Sequence, residues 1–139
     1  MKKIYNLSVF YAILGIVGGI FFREFTKLNN FSGVTTLSFV HTHAFVLGMI
    51  FFLIVVLLEK QFQLSEHTSF SKFLIFYNTG VVLTISMLLV RGITQVLDIS
   101  LSSGMNAAIS GISGLSHIVL TLGFIFFYLI LKKQISIAK

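Results

Sequence analysis

The chain has 139 residues, 56% hydrophobic and only 10% charged, with a formal net charge of +6. A soluble domain carries about a quarter charged residues, so this composition excludes one, and the charge is too sparse for nucleic-acid binding. With no Cys there are no disulfides, thiolate metal sites or Cys nucleophiles.

The long uncharged stretches are Ile4–Phe22, Leu28–Leu58, Phe73–Val90 and Ile99–Leu131. Each can cover the roughly 20 apolar residues needed to cross a bilayer. They predict one all-α transmembrane domain over residues 1–139, with helices at about 4–22, 33–58, 73–93 and 105–131. Backbone groups in lipid must be paired internally, so the expected architecture is a closed four-helix bundle.

Helix one follows Met1-Lys2-Lys3, a start that resembles a signal peptide. Its apolar run is longer than a signal core, so it is read as a span. Gly15 and Gly19 form a Gly-x-x-x-Gly element that allows close helix approach, and Tyr11 and Arg23 extend the stripe at spacing four. Helix two carries His41 and His43, and the loop after it carries His67 beside Glu66, expected to be solvated. Helix three holds the modest polarity of Asn78, Thr79, Thr84 and Ser86, and ends at Arg91. Helix four presents Ser110, Gly111, Ser113, Gly114, His117 and Thr121 as a small, polar face. For all these glycines, plain helix packing is the competing reading. The absence of Pro argues against the broken helices of many transporters.

Orientation follows from basic residues in short loops. Lys2, Lys3, Lys60, Lys72, Lys132, Lys133 and Lys139 lie on one side, against Arg23, Lys27 and Arg91 on the other. Both termini are therefore expected in the cytoplasm of a multi-pass cell-membrane protein. Loops Arg23–Ser32 and Gln95–Gly104 would face outward.

An ionisable residue within a span is a functional-site hypothesis by default. His41 and His43 lie about 12–15 Å along helix two from its outer end, and His117 about 18 Å along helix four. All three are expected in the outer half of the membrane. At 100° per residue, His41 and His43 point about 200° apart, so one pair on one helix serves two sites. Ser38, Ala44 and Gly48 leave room beside His41; Phe39, Val46, Leu47 and Ile50 give His43 a bulky apolar face.

Haem b fits such a set. It takes one or two axial imidazoles, and its macrocycle needs apolar walls with small residues, here Gly48 and Gly114, for close approach. Its propionates need cations at the membrane edge, for which Arg91 is the first candidate and Arg23 the second. The competing readings are interhelical hydrogen bonding by the histidines and an Arg91 pair with Asp98 or a lipid phosphate. A bare Cu or Zn site is a further one, since imidazole ligands suit either metal.

The stretch His41-Thr42-His43-Ala44-Phe45-Val46-Leu47-Gly48-Met49 resembles the His-x-His helix of the catalytic subunit of haem–copper oxidases. In that family the two histidines ligate different haems, and Arg91 is a second, weaker match. The family's copper-ligand His-x-x-x-Tyr element and paired His-His are absent, so oxygen reduction at a binuclear centre is not implied. The resemblance does imply a subunit of twelve helices in three arcs of four. A homotrimer of this four-helix chain, with His41 of one protomer and His43 of the next reaching one haem, is its threefold-symmetric counterpart. The other arrangement puts one haem within a protomer, between His117 and a helix-two histidine. Over its full length the chain also resembles an uncharacterised family of small four-helix bacterial membrane proteins. That likeness rests on Phe22-Arg23-Glu24-Phe25-Thr26-Lys27, His41-Thr42-His43, Arg91-Gly92-Ile93 and Ser110 through His117.

The expectation is a membrane haem-b protein for electron transfer or diatomic gas binding, with the redox partner unassigned. Two other classes remain open. One is a carrier of a non-haem metal or small solute; the other is an accessory or assembly subunit whose glycine faces meet partner helices.

Overall fold

The computed structural model describes residues 1–138. Among them are four helices long and apolar enough to cross a membrane: α1 Lys2–Leu28, α2 Ser38–Phe62, α3 Phe70–Val96 and α4 Ser103–Ile137. No strand occurs among the described residues. The end holding the connections around residues 30 and 100 is here the Arg91 end; the opposite one is the Lys60 end.

The helices run past the apolar stretches because charge ends a lipid-compatible run without ending a helix. Arg, Lys, Glu and Gln are good helix formers, so α1 continues through Arg23-Glu24-Phe25-Thr26-Lys27 and α4 through Lys132-Lys133-Gln134. Three connections turn at Asn30, Gln63 and Asp98, each with φ near +50°. Asn and Asp tolerate that left-handed region better than most residues. At the start of α4, Ser102 Oγ accepts the Met105 N–H at 3.2 Å, an N-cap.

By contrast, α2 starts five residues later than the hydropathy suggests. Thr35 Oγ1 donates to Gly92 O at 3.1 Å and Thr36 Oγ1 to Leu88 O at 2.9 Å. The Thr36 N–H also donates to Gln95 Oε1 at 2.8 Å. This threonine pair docks the entry segment on α3 before the helix begins.

Small residues set the closest helix approaches, as is common in membrane bundles. Against α1, a Cβ on Gly15 would come within 2.6 Å of Phe45, and one on Gly18 within 2.9 Å of Val40. Between α3 and α4, Gly80 lies against the Leu120 backbone and Gly123 against the Tyr77 backbone, each with only 2.6 Å for a Cβ. At the Lys60 end Phe51 gathers the core, touching Phe52, Phe73, Tyr77, Phe124 and Phe127 with centroids 4.2–6.2 Å away. There Gln134 also donates to Gln63 O at 2.8 Å, while the Glu59 carboxylate accepts the Ser65 N–H and hydroxyl.

The closed bundle expected from the sequence is replaced by an open arc. α1 packs on α2, α2 on α3, and α3 along the length of α4, whereas α1 and α4 do not pack as neighbours. The aromatic cluster closes the Lys60 half. Toward the Arg91 end, the first part of α4 meets little except α3, and residues 102–108 are all exposed.

α2 is not uniformly α-helical. Ala44–Ile50 forms a π segment between the α-helical Ser38–His43 and Phe51–Phe62. Such i→i+5 segments are rare and often sit at functional sites.

Candidate histidine site

Helix register brings the histidines to one level. Leu37 lies against Gly92, and Phe51 stacks on Tyr77. His43, between Leu37 and Phe51 on α2, therefore falls near the Thr84 turn of the antiparallel α3. Thr84 Oγ1 in turn donates to Ser116 Oγ at 3.0 Å, next to His117. His43 and His117 thus stand within about a turn of one level, on the two helices that flank α3.

Their rings are set alike. His43 Nδ1 is 2.8 Å from Phe39 O, and His117 Nδ1 is 2.8 Å from Ser113 O. A carbonyl only accepts, so Nδ1 is the donor in each contact, and in a neutral ring that puts the lone pair on Nε2. A backbone carbonyl fixing the second ring nitrogen is the usual arrangement behind a metal-ligating histidine. Thr42, His43, Val46 and Leu47 line an open, almost wholly apolar recess of about 280 Å³. Around His117, Gly111 and Gly114 have nothing within 4 Å of where a Cβ would stand.

His41 differs. Its Cβ and Cγ lie 3.7 and 3.8 Å from a Cβ position on Gly19, so it faces α1 and turns away from the His43 recess. Its Nδ1 is buried with no hydrogen-bond partner. Gly48 does not open space for a ligand: Tyr11 fills it, and any Cβ there would strike that ring. Among the described residues no three His, Cys, Asp or Glu side chains gather to hold a bare metal ion.

Arg91 pairs with neither Asp98 nor solvent alone. Its two terminal nitrogens donate to Asn106 Oδ1 at 3.1 Å and Ser110 Oγ at 2.8 Å. Ser110 lies seven residues from His117, about 10 Å along the helix. Arg23 is largely exposed, 3.6 Å from the Glu24 carboxylate. In the α2–α3 connection, the ring of His67 accepts the Ser69 N–H at 3.1 Å, a local turn contact.

Sequence reasoning missed Asn106 as an Arg91 partner, and it missed the clamp on the π segment. Ser8 Oγ donates to Met49 O at 3.0 Å and Tyr77 Oη to Leu47 O at 2.9 Å. Tyr11, pressed on Gly48, donates to Asn78 Oδ1 at 2.6 Å. The one available signal was hydroxyls in mid-span, which need a partner in lipid.

The fold and site define a four-helix chain of membrane-spanning length with histidines held ready at one level on two helices. It belongs to DUF2871, a family described as a protein of unknown function, whose model matches residues 1–134. Comparison with curated proteins and with solved structures gives no match.

Proposed function

We propose that the chain is an integral membrane haem-b-binding protein with His43 as an axial ligand. The observation that carries this is the pair of Nδ1-to-carbonyl bonds at His43 and His117, which leave both Nε2 lone pairs free at one level. Haem asks for only one or two imidazoles plus apolar walls, whereas a bare Cu or Zn ion asks for more ligands than gather among the described residues. The recess beside His43 supplies apolar wall, and the clearance at Gly111 and Gly114 leaves room beside His117. Arg91, anchored near the same helix face, suits a propionate through its planar fork. Haem held by two of these histidines would supply electron transfer, and haem held by one would supply binding of a diatomic gas.

Two arrangements share His43. In the first, His117 of the same chain is the second ligand. In the second, His41 of another copy reaches the haem in a homotrimer resembling the oxidase subunit. The open arc, in which α1 and α4 do not pack as neighbours, favours this second reading. Both place the termini in the cytoplasm and Arg91 at the outer edge of the cell membrane.

Native mass of the haem-loaded protein in detergent, combined with His117→Ala and His41→Ala variants, tests the choice. A loaded monomer whose second ligand is lost with His117 supports the first. A loaded trimer losing it with His41 supports the second. Protein that binds no haem but retains tightly bound copper or zinc overturns both.

A further inference from the structure

The π segment Ala44–Ile50 begins one residue after His43 and ends where the Phe51 cluster starts. An i→i+5 segment holds, in effect, one residue more than the α-helix it replaces. Removing that residue would turn everything beyond it by about 100° and shift it by about 1.5 Å. The segment therefore decides which way His43 points relative to the fixed Lys60 half of α2.

Gly48 and the β-branched Val46 and Ile50 weaken the ordinary helix here, but a low propensity does not by itself select a wide turn. What holds it comes from neighbouring helices. Ser8 on α1 and Tyr77 on α3 donate hydroxyls to the Met49 and Leu47 carbonyls from two sides. Between them Tyr11 occupies the notch at Gly48, with its own hydroxyl held by Asn78. In the apolar interior a carbonyl tipped out of its ladder must find a donor, and these hydroxyls provide it. Tyr77 is fixed in turn by stacking on Phe51 at 4.2 Å and by the Gly123 notch of α4.

We infer that Ser8, Tyr11 and Tyr77 are positioning residues: they clamp α2 in its π register and so aim the His43 ring into its recess. This rests on His43 being a haem ligand, but the clamp itself can be read without haem. Full-length Tyr77→Phe, which removes one oxygen and keeps the ring, is compared in detergent with the unaltered chain and with Tyr128→Phe, whose ring is exposed. Two readouts are taken: amide exchange across residues 44–50, and affinity for added haemin.

Tyr77→Phe is expected to keep its helix content, to exchange faster across 44–50, and to bind haemin about 10–100-fold more weakly, the usual cost of losing a group that orients a ligand. Tyr128→Phe should change neither readout. Should Tyr77→Phe fail to fold, Ser8→Ala removes the other clamp with a smaller loss of packing and is expected to show the same pair of effects. Unchanged exchange and unchanged affinity in the folded variant overturn the clamp. If the unaltered chain takes up no haemin, the haem reading falls, and exchange across 44–50 alone then decides the clamp: unchanged exchange overturns it.

Discussion

Arg91 on α3 donates to Ser110 Oγ on α4 at 2.8 Å, tying the two helices together seven residues from His117. The bond leaves the remaining guanidinium N–H groups near the first turns of α4, at the Arg91 end. Because Asn106 takes the other terminal nitrogen at 3.1 Å, the head group is held in a defined plane. Lys has no such fork. Arg91→Lys is expected to weaken haem uptake about tenfold or more, the worth of a charge-assisted hydrogen bond of about 1.5 kcal/mol. Haemin titration checks this, with Arg23→Lys as the comparison expected to change little.

Gly80 and Gly114 have opposite surroundings. Gly80→Ala drives a Cβ to within 2.6 Å of the Leu120 backbone, so α3 and α4 must separate. A loss of about 1–3 kcal/mol is expected from such overpacking, measured by unfolding in mixed micelles. Gly114→Ala meets nothing within 4 Å and should leave that stability unchanged. If Gly114→Ala lowers haem uptake while stability holds, the open face of α4 is part of the site.

The Tyr11–Asn78 hydrogen bond, 2.6 Å long, joins α1 to α3 across the arc. Interhelical bonds of this kind are worth about 0.6 kcal/mol on average and at most about 1.7 kcal/mol. Tyr11→Phe keeps the ring against Gly48 and should cost no more than this. A larger loss by the same unfolding assay would mean that the hydroxyl holds more than Asn78.

Fusing a reporter that is fluorescent only in the cytoplasm to the C-terminus, and separately to the loop around residue 100, tests the orientation. The C-terminal fusion is expected to fluoresce and the loop fusion to be dark, since seven lysines lie on the side of the termini.

Helix number and type were legible in the sequence because four apolar stretches of spanning length are a composition signal that needs no tertiary information. Helix ends were less so. Lys132 and Lys133 end the apolar stretch, yet α4 runs on to Ile137. The late start of α2 depends on Thr35 and Thr36 bonding to α3 carbonyls 57 and 52 residues away, respectively, which no local pattern encodes. At the site, the divergence of His41 and His43 could be read from helix geometry alone. The ring settings could not, because they follow from Phe39 O and Ser113 O, one turn back, each accepting the ring Nδ1–H beside a neighbouring hydroxyl, of Thr42 and Ser116 respectively. Gly48 looked like room for a ligand and is instead the seat of Tyr11. The π segment was invisible for a related reason: its donors, Ser8 and Tyr77, come from other helices.

The proposal that His43 is a haem ligand is tested most directly by the Soret absorption of full-length protein purified from cells supplied with haem. The unaltered chain should be red with a Soret band, and His43→Ala should lose it or shift it to that of a haem with a changed axial ligand, while His67→Ala keeps it. A colourless unaltered protein, or a His43→Ala variant with the same band and the same haem content, would contradict the assignment.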